Sequence, residues 1–213
     1  MHTIVFAGGT VQRGSAVERA LAKAEMVIAA DSGAMAALEL GYVPAFVVGD
    51  FDSLSQTAFA DLERRGSRIV RAPTEKNETD TELAVELALT QGATHITLLG
   101  ALGGERFDHT LANILLLAGY PDGLIDIADG NARGWLLRGP GEMLIEGQRD
   151  DLLSLFPLTA SAEGVRTENL FYPLHRETLH FGRPRGISNV LLAEQARVAL
   201  DEGLLLVIHL AVR

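Results

Sequence analysis

Aspartate residues recur in this sequence directly after short apolar runs, where their carboxylates could bind a metal ion. Asp50 and Asp52 flank Phe51, and because side chains alternate along an extended chain, both carboxylates face the same side. Asp31 follows another apolar run, and Asp80 opens a helix-like segment. Any one of them alone could be a turn or helix cap. Together they predict a site for a hard cation such as Mg²⁺, which prefers carboxylate oxygens.

Two glycine pairs, Gly8-Gly9 and Gly103-Gly104, also follow apolar runs and would let backbone amides approach a phosphate closely. Glycines after a strand form ordinary tight turns as well, so both interpretations stay open. The sequence has neither a Walker A motif nor a G-x-G-x-x-G motif, and so supports neither a P-loop kinase nor a Rossmann dehydrogenase. Phosphates would have to be held in another way.

Two cations and a histidine lie in polar segments of the chain, each near an aspartate. Lys76 and Arg106 lie in polar segments next to Asp80 and Asp108, where they could neutralise a triphosphate or be solvated surface charges. His109 follows Asp108 near the start of a predicted helix, whereas His95 and His209 lie in apolar runs.

The elements that position these residues alternate short apolar runs with helix-length amphipathic stretches over the first 137 residues, which predicts a mostly parallel sheet covered by helices. Predicted strands occupy residues 3–7, 26–30, 46–48, 68–70, 96–99 and 125–128. Predicted helices occupy residues 15–24, 34–40, 56–65, 80–91 and 110–118, with Ser55 capping the third and Thr79 with Glu82 forming a capping box for the fourth. Because ligands bind at the carboxyl ends of strands in such sheets, the aspartates and glycine pairs should share one edge.

The helical periodicity stops near residues 138–141, where strand-like runs separated by turn residues begin. Such runs occur at residues 143–145, 152–156, 198–200 and 204–212. We therefore predict an α/β domain over residues 1–137 and a smaller all-β, sandwich-like domain over residues 138–213.

Composition excludes several classes of function. The chain contains no cysteine, which leaves no disulfide framework, thiolate metal site or cysteine nucleophile. The formal net charge is −10, and no basic cluster is long enough to follow a nucleic-acid backbone. The amino terminus lacks a signal-like pattern, and the longest apolar run is too short to span a bilayer. We expect a soluble, cytoplasmic protein that binds neither nucleic acid nor membrane.

Six stretches, in this order, resemble motifs of the thiamine pyrophosphokinase family over most of the chain. They are A-D-S-G-A at 30–34, V-G-D-F-D-S at 48–53, E-K-N-E-T-D at 75–80, the segment 100–113 with its R-F-D-H core, Y-P-L at 172–174 and G-I-S-N at 186–189.

The resemblance implies an amino-terminal α/β domain, a carboxyl-terminal β-sandwich and a homodimer whose active sites are shared between the two subunits. It implies that Asp50, Asp52 and Asp80 hold Mg²⁺ and that Asp31 lines the site. ATP contacts are assigned to Arg106, Asp108 and His109, and thiamine contacts to Ser188 and Asn189. The candidate nucleotide site is completed by Gly8, Gly9, Lys76, Gly103 and Gly104.

The reaction implied by the resemblance is transfer of pyrophosphate from Mg-ATP to thiamine. The hydroxyl oxygen of thiamine attacks the β-phosphorus of ATP, and AMP leaves. Asp31, Asp50 and Asp80 are each candidates for the proton acceptor, and the sequence does not choose among them.

Two departures from the family pattern are Asn77, where the family usually has Asp, and one extra residue, Glu105, before Arg106. Two alternative functions stay open. One is a nucleotide- and thiamine-binding module with weak or no turnover, which Asn77 would fit. The other is a metal-dependent sugar-nucleotide glycosyltransferase with Asp50 and Asp52 as its metal motif, which would leave the residues around Arg106 unexplained.

Overall fold

A computed structural model describes residues 1–51 and 54–212, and the chain divides into two compact units, Met1–Gly130 and Asn131–Arg213. The domain boundary predicted after residue 137 falls within a strand of the second unit, Ala132–Arg138. The turn-forming residues that motivated this boundary join that strand to the next strand of the same unit, Gly141–Glu146.

The first unit contains a parallel sheet with the strand order β6-β5-β1-β2-β3-β4. The strands are β1 His2–Phe6, β2 Met26–Ala30, β3 Phe46–Gly49, β4 Arg68–Arg71, β5 His95–Leu99 and β6 Ile125–Asp129. The predicted parallel sheet is confirmed, and each predicted strand overlaps an observed one. Since β1 lies between β2 and β5, the turns after β1 and β5 are neighbours at the carboxyl edge.

The helices of this unit are α1 Ser15–Ala22, α2 Gly33–Glu39, α3 Gln56–Arg64, α4 Asp80–Thr90 and α5 Phe107–Leu116, followed by a 3-10 turn at Leu117–Gly119. The predicted cap at Ser55 forms, since Ser55 Oγ accepts the Ala58 N–H at 3.2 Å. Thr79 Oγ1 accepts the Glu82 N–H at 3.1 Å, which is one of the two bonds of the predicted capping box. No helix in the described part of the chain is long and apolar enough to cross a bilayer.

The start predicted for α5, at Thr110, was wrong by one helical turn, because α5 begins at Phe107. The apolar periodicity used for the prediction does not extend over the polar residues Asp108 and His109, although an acidic residue suits the first turn of a helix. These two residues therefore lie on the helix itself.

Alternation along the strands divides the core of the first unit between two faces of the sheet. Ile4 and Phe6 of β1 pack with α1 and α2 in one buried cluster. The intervening Val5 is also buried and lies outside that cluster, and α4 packs against β1, β2 and β3. Helices thus cover both faces, which leaves the carboxyl edge of the strands for polar residues.

The second unit is a sandwich of two antiparallel sheets, with strand orders β12-β9-β14-β7 and β11-β10-β13-β8. The strands are β7 Ala132–Arg138, β8 Gly141–Glu146, β9 Leu152–Pro157, β10 Ser161–Glu168, β11 His175–His180, β12 Asn189–Val190, β13 Gln195–Leu200 and β14 Leu204–Leu210. Inward residues of both sheets, such as Leu155 and Val165, share one apolar core. The predicted all-β second domain is confirmed.

Candidate active site

Three carboxylates meet at the carboxyl edge of the parallel sheet. Asp31 follows β2, Asp50 follows β3 and Asp80 opens α4, and each offers an oxygen within 4.8 Å of the others. All three side chains are half-buried. Asp52, also predicted to bind metal, lies outside the described residues. The structure thus adds Asp31 to Asp50 and Asp80, and we name these three residues the carboxylate cluster.

The backbone after β2 and β3 places two members of this cluster side by side. Asp31 has φ of 44°, and its N–H donates to the carbonyl of Val48 at 2.9 Å. A Cβ on Gly49 would lie 3.0 Å from the Cβ of Asp31, so a side chain at residue 49 would crowd it. Phe51 has φ of 64°, which turns the chain sharply after Asp50.

Lys76 supplies a positive charge to the carboxylate cluster. Its ammonium lies 2.9 Å from Asp80 Oδ1 and donates to the carbonyl of Pro73 at 3.1 Å. Only 12% of the Lys76 side chain is exposed, so the ion pair is screened less than a surface pair. Lys76, predicted as a nucleotide contact, therefore already neutralises one carboxylate of the site.

The two glycine pairs lie on neighbouring turns that pack backbone against backbone. The Gly9 N–H donates to the carbonyl of Gly100 at 3.0 Å. A Cβ on Gly9 would lie 2.1 Å from the Gly103 carbonyl oxygen, and one on Gly103 would lie 2.5 Å from that of Thr10. Gly9 and Gly103 are therefore needed for the approach of the two turns, whatever the turns bind.

A cleft of about 310 Å³ opens beside the first of these turns. It is lined by residues of the turn after β1, of α2 and of the turn after β5, namely Gly8, Gly9, Thr10, Val11, Arg13, Ala36, Glu39, Leu40 and Gly104. Three of the four glycines predicted to contact nucleotide thus line this cleft, whereas Gly103 packs against Thr10.

Arg106 and Asp108 form an exposed ion pair with each other. The Arg106 guanidinium donates from Nε to Oδ1 at 2.9 Å and from Nη2 to Oδ2 at 2.7 Å. These hydrogen bonds lower the pKa of Asp108 to about 2 and raise the pKa of Arg106. His109 is exposed on the same first turn of α5. A phosphate that binds Arg106 would have to compete with Asp108.

Two residues at this edge escaped the sequence analysis. The buried Asn113 donates from Nδ2 to the carbonyl of Ala101 at 2.9 Å and so ties α5 to the turn after β5. Arg71, the last residue of β4, holds its guanidinium 5.4 Å from the ring of Phe51 and 5.0 Å from that of Phe59. The sequence could have indicated Arg71 only as a basic residue at the end of a strand. Its contact with Phe51 is seen only in the fold.

The predicted thiamine contacts, Ser188 and Asn189, differ in their surroundings within the second unit. Ser188 is exposed, has φ of 56° and donates its N–H to Ser154 Oγ at 3.0 Å. Asn189 is buried, and its amide bonds the backbone of Tyr172 in both directions. Only Ser188 therefore presents its side chain to solvent.

Comparisons with known proteins agree with this arrangement. A family profile described as the catalytic domain of thiamin pyrophosphokinase matches residues 17–124, and a second, described as its vitamin B1 binding domain, matches residues 143–205. The chain belongs to the thiamine pyrophosphokinase family. The first match contains the carboxylate cluster, and the second contains Ser188 and Asn189. The resemblance inferred from the motifs is confirmed.

Individual members of the thiamine pyrophosphokinase family support the same conclusion. A thiamine pyrophosphokinase of Bacillus subtilis (strain 168) is 28% identical over 184 residues, which cover 85% of this chain and 86% of the relative. Thiamine pyrophosphokinase 2 of Oryza sativa subsp. japonica is 29% identical over 79% of this chain and 66% of its own length.

Crystal structures of family members share the fold. Thiamine pyrophosphokinase from Bacillus subtilis superposes with a TM-score of 0.86 over 100% of both chains, at 24% identity. Thiamin pyrophosphokinase from Geobacillus thermodenitrificans gives a TM-score of 0.83 over 99% of this chain and 98% of the other, at 27% identity.

Proposed function

We propose that this chain transfers a pyrophosphoryl group from Mg-ATP to the hydroxyl of thiamine, giving thiamine pyrophosphate and AMP. The observation that carries the proposal is the convergence of Asp31, Asp50 and Asp80 within the part of the chain that matches the family's catalytic domain. The match of residues 143–205 to the vitamin B1 binding domain supports thiamine as the acceptor.

The donor set of the carboxylate cluster fits Mg²⁺. An octahedral Mg²⁺ keeps its ligands roughly 2.1 Å away, and hence no more than about 4.2 Å apart. Three oxygens within 4.8 Å of one another need only small side-chain adjustments to meet this limit. Asp50 and Asp80 would hold the ion, with Asp52 as a further ligand predicted from the sequence, and Asp31 lines the same site. Once bound, Mg²⁺ would neutralise phosphate oxygens of ATP.

The reaction itself requires positioning and one proton transfer. The hydroxyl oxygen of thiamine forms a bond to the β-phosphorus of ATP while the bond from that phosphorus to the α,β-bridging oxygen breaks. AMP leaves with the electron pair of the broken bond. A carboxylate of the cluster that is not bound to metal accepts the hydroxyl proton, since metal coordination makes a carboxylate a poor base.

We assign nucleotide binding to the other residues at the carboxyl edge of the parallel sheet. Gly8, Gly9 and Gly104 line the cleft beside the turns after β1 and β5, where the lack of a side chain would let a phosphate approach the backbone. Lys76 stands next to Asp80, and Arg106, Asp108 and His109 stand at the start of α5. We assign Lys76 and Arg106 to the phosphates of ATP, with Asp108 holding Arg106 until nucleotide arrives.

The assembly and location of the protein are part of the proposal. Family resemblance favours a homodimer in which each active site takes residues from both chains. A cytoplasmic location is likewise part of the proposal.

Release of AMP tests the proposal. We expect AMP release to require both thiamine and Mg²⁺, and Asp50→Asn to reduce it by roughly 100-fold because a metal ligand loses its charge. Asp61→Asn is the matched control, since this carboxylate pairs with Arg64 and Arg65 on α3. Its activity should stay within about twofold of wild type. Asp52→Asn should behave like Asp50→Asn.

Two outcomes would contradict the proposal. A binding module would retain nucleotide and thiamine but release no AMP. A folded Asp50→Asn protein with near-normal activity at limiting Mg²⁺ would remove the metal assignment, and thermal melting of each variant shows whether it is folded.

A further inference from the structure

Two aromatic side chains of the second unit are exposed next to each other. Phe171 is 58% exposed and Tyr172 is 63% exposed, and their ring centroids lie 4.8 Å apart at an interplanar angle of 82°. They lie in the segment between β10 and β11, and the flanking Leu170 and Leu174 are buried. The buried leucines anchor the segment, so that both aromatic rings remain at the surface.

The backbone of this segment is bonded to the residues around β12. The Phe171 N–H donates to the carbonyl of Val190 at 2.9 Å, and Leu170 forms an isolated antiparallel bridge with Leu191. The backbone of the aromatic pair is therefore bonded to the segment that directly follows Ser188 and Asn189.

The side chain of Asn189 makes the remaining bonds to Tyr172. Its Oδ1 accepts the N–H of Tyr172 and the N–H of Val190, both at 3.0 Å. Its Nδ2 donates to the carbonyl of Tyr172 at 2.7 Å. An amide oxygen has two lone pairs, so the acceptor capacity of Oδ1 is already used. With the residue only 7% exposed, little of Asn189 remains for a ligand.

We propose that Asn189 is a positioning residue, which acts on thiamine by fixing the backbone of Tyr172 and not by touching the substrate. The inference rests on the proposed function. Aromatic rings attract a cation such as the thiazolium of thiamine. A ring whose backbone is already fixed loses less conformational freedom when the ligand binds. Without Asn189 the backbone of Tyr172 would be less ordered, and thiamine would therefore bind more weakly.

A double-mutant cycle separates this role from a direct contact. We expect Asn189→Ala to raise the KM for thiamine about tenfold with kcat within about twofold of wild type. Tyr172→Ala should raise the KM at least as much. In the double variant, Asn189→Ala should have no further effect, because the ring that it positions is gone. Additive effects of the two substitutions would overturn the proposal.

The exposed neighbour Ser188 provides the matched comparison. A residue that contacts thiamine independently of Tyr172 should act additively with Tyr172→Ala, and Ser188→Ala tests this in the same cycle. If Asn189→Ala fails to fold, Asn189→Asp replaces it, because Asp keeps an acceptor for the two N–H groups while a negatively charged oxygen takes the place of the donor to the Tyr172 carbonyl.

A spectroscopic readout tests the positioning role without activity. The chain has three tyrosines, so 3-fluorotyrosine labelling should give three ¹⁹F signals, with that of Tyr172 identified by Tyr172→Phe. We expect Asn189→Ala to shift or narrow the Tyr172 signal in the absence of thiamine and to leave the other two unchanged. An unchanged Tyr172 signal would overturn the inference. If the wild type shows no thiamine-dependent turnover, the proposed function fails, whereas the ¹⁹F result still decides the positioning role.

Discussion

Single residues determine the charge that a polyphosphate would meet at the sheet edge. Lys76 is already paired with Asp80, and Arg106 with Asp108. Arg71 differs, because no carboxylate among residues 1–51 and 54–212 forms an ion pair with it, and its guanidinium is held by two aromatic rings. Its Cα pairs with that of Gly49, directly before Asp50. Arg71 is therefore placed to add positive charge beside the carboxylate cluster.

Arg71→Gln is expected to raise the KM for Mg-ATP by about tenfold, the effect of one charge-assisted hydrogen bond, while the KM for thiamine changes by less than about twofold. Arg68 is the matched control, since it begins the same strand and lies 5.6 Å from the ring of Phe46. Arg68→Gln should leave both constants near wild type. If Arg71→Gln and Arg68→Gln raise the KM for Mg-ATP equally, the effect comes from the lost contact between a guanidinium and an aromatic ring, and not from the position of Arg71.

For single residues, the sequence was enough to predict which polar residues follow a strand, but not which residues they contact. Asp31, Asp50 and Asp80 could be predicted together because carboxyl ends of parallel strands share an edge. The bonds of Asn189 to Tyr172 join residues 17 apart in the chain, and no local pattern specifies them. Family resemblance placed Asn189 near thiamine, whereas its burial and hydrogen bonds indicate an indirect role.

Pairs of elements bring the candidate site together, and the turns after β1 and β5 are the closest pair. Gly9→Ala is expected to lower the free energy of unfolding by about 1–3 kcal/mol, because its Cβ would lie 2.1 Å from the Gly103 carbonyl oxygen and the backbone must shift. Gly119→Ala is the control, since a Cβ there meets nothing within 4 Å. Urea denaturation of both variants measures the difference. Equal stability would show that the two turns separate at no cost.

The elements themselves were predicted with unequal success, for physical reasons. Apart from the edge strand β4, the strands of the parallel sheet are buried on both faces and appear as continuous apolar runs, such as β2. The strand β10 was missed because charged residues interrupt it, and its pairing with β11 contains register shifts. The two-residue strand β12 has no periodicity at all, and it carries Asn189.

The whole molecule is proposed to act as a dimer with shared sites, and subunit mixing tests this. Chains with Asp50→Asn, and chains with both Tyr172→Ala and Ser188→Ala, should each be nearly inactive at low thiamine. In a mixed dimer with shared sites, one site carries every defect and the other carries none. Random exchange should then restore about one quarter of the wild-type sites. Absence of recovery, with exchange confirmed independently, would mean that each site is built from one chain.

The identity and ratio of the products test the central claim most directly. Wild-type protein with Mg-ATP and thiamine, quenched during turnover and separated by chromatography, should yield AMP and thiamine pyrophosphate in equal amounts. Equal amounts are expected because one bond to the β-phosphorus forms as one breaks. ADP with thiamine monophosphate as the main products would contradict pyrophosphoryl transfer, and AMP without a thiamine product would contradict thiamine as the acceptor.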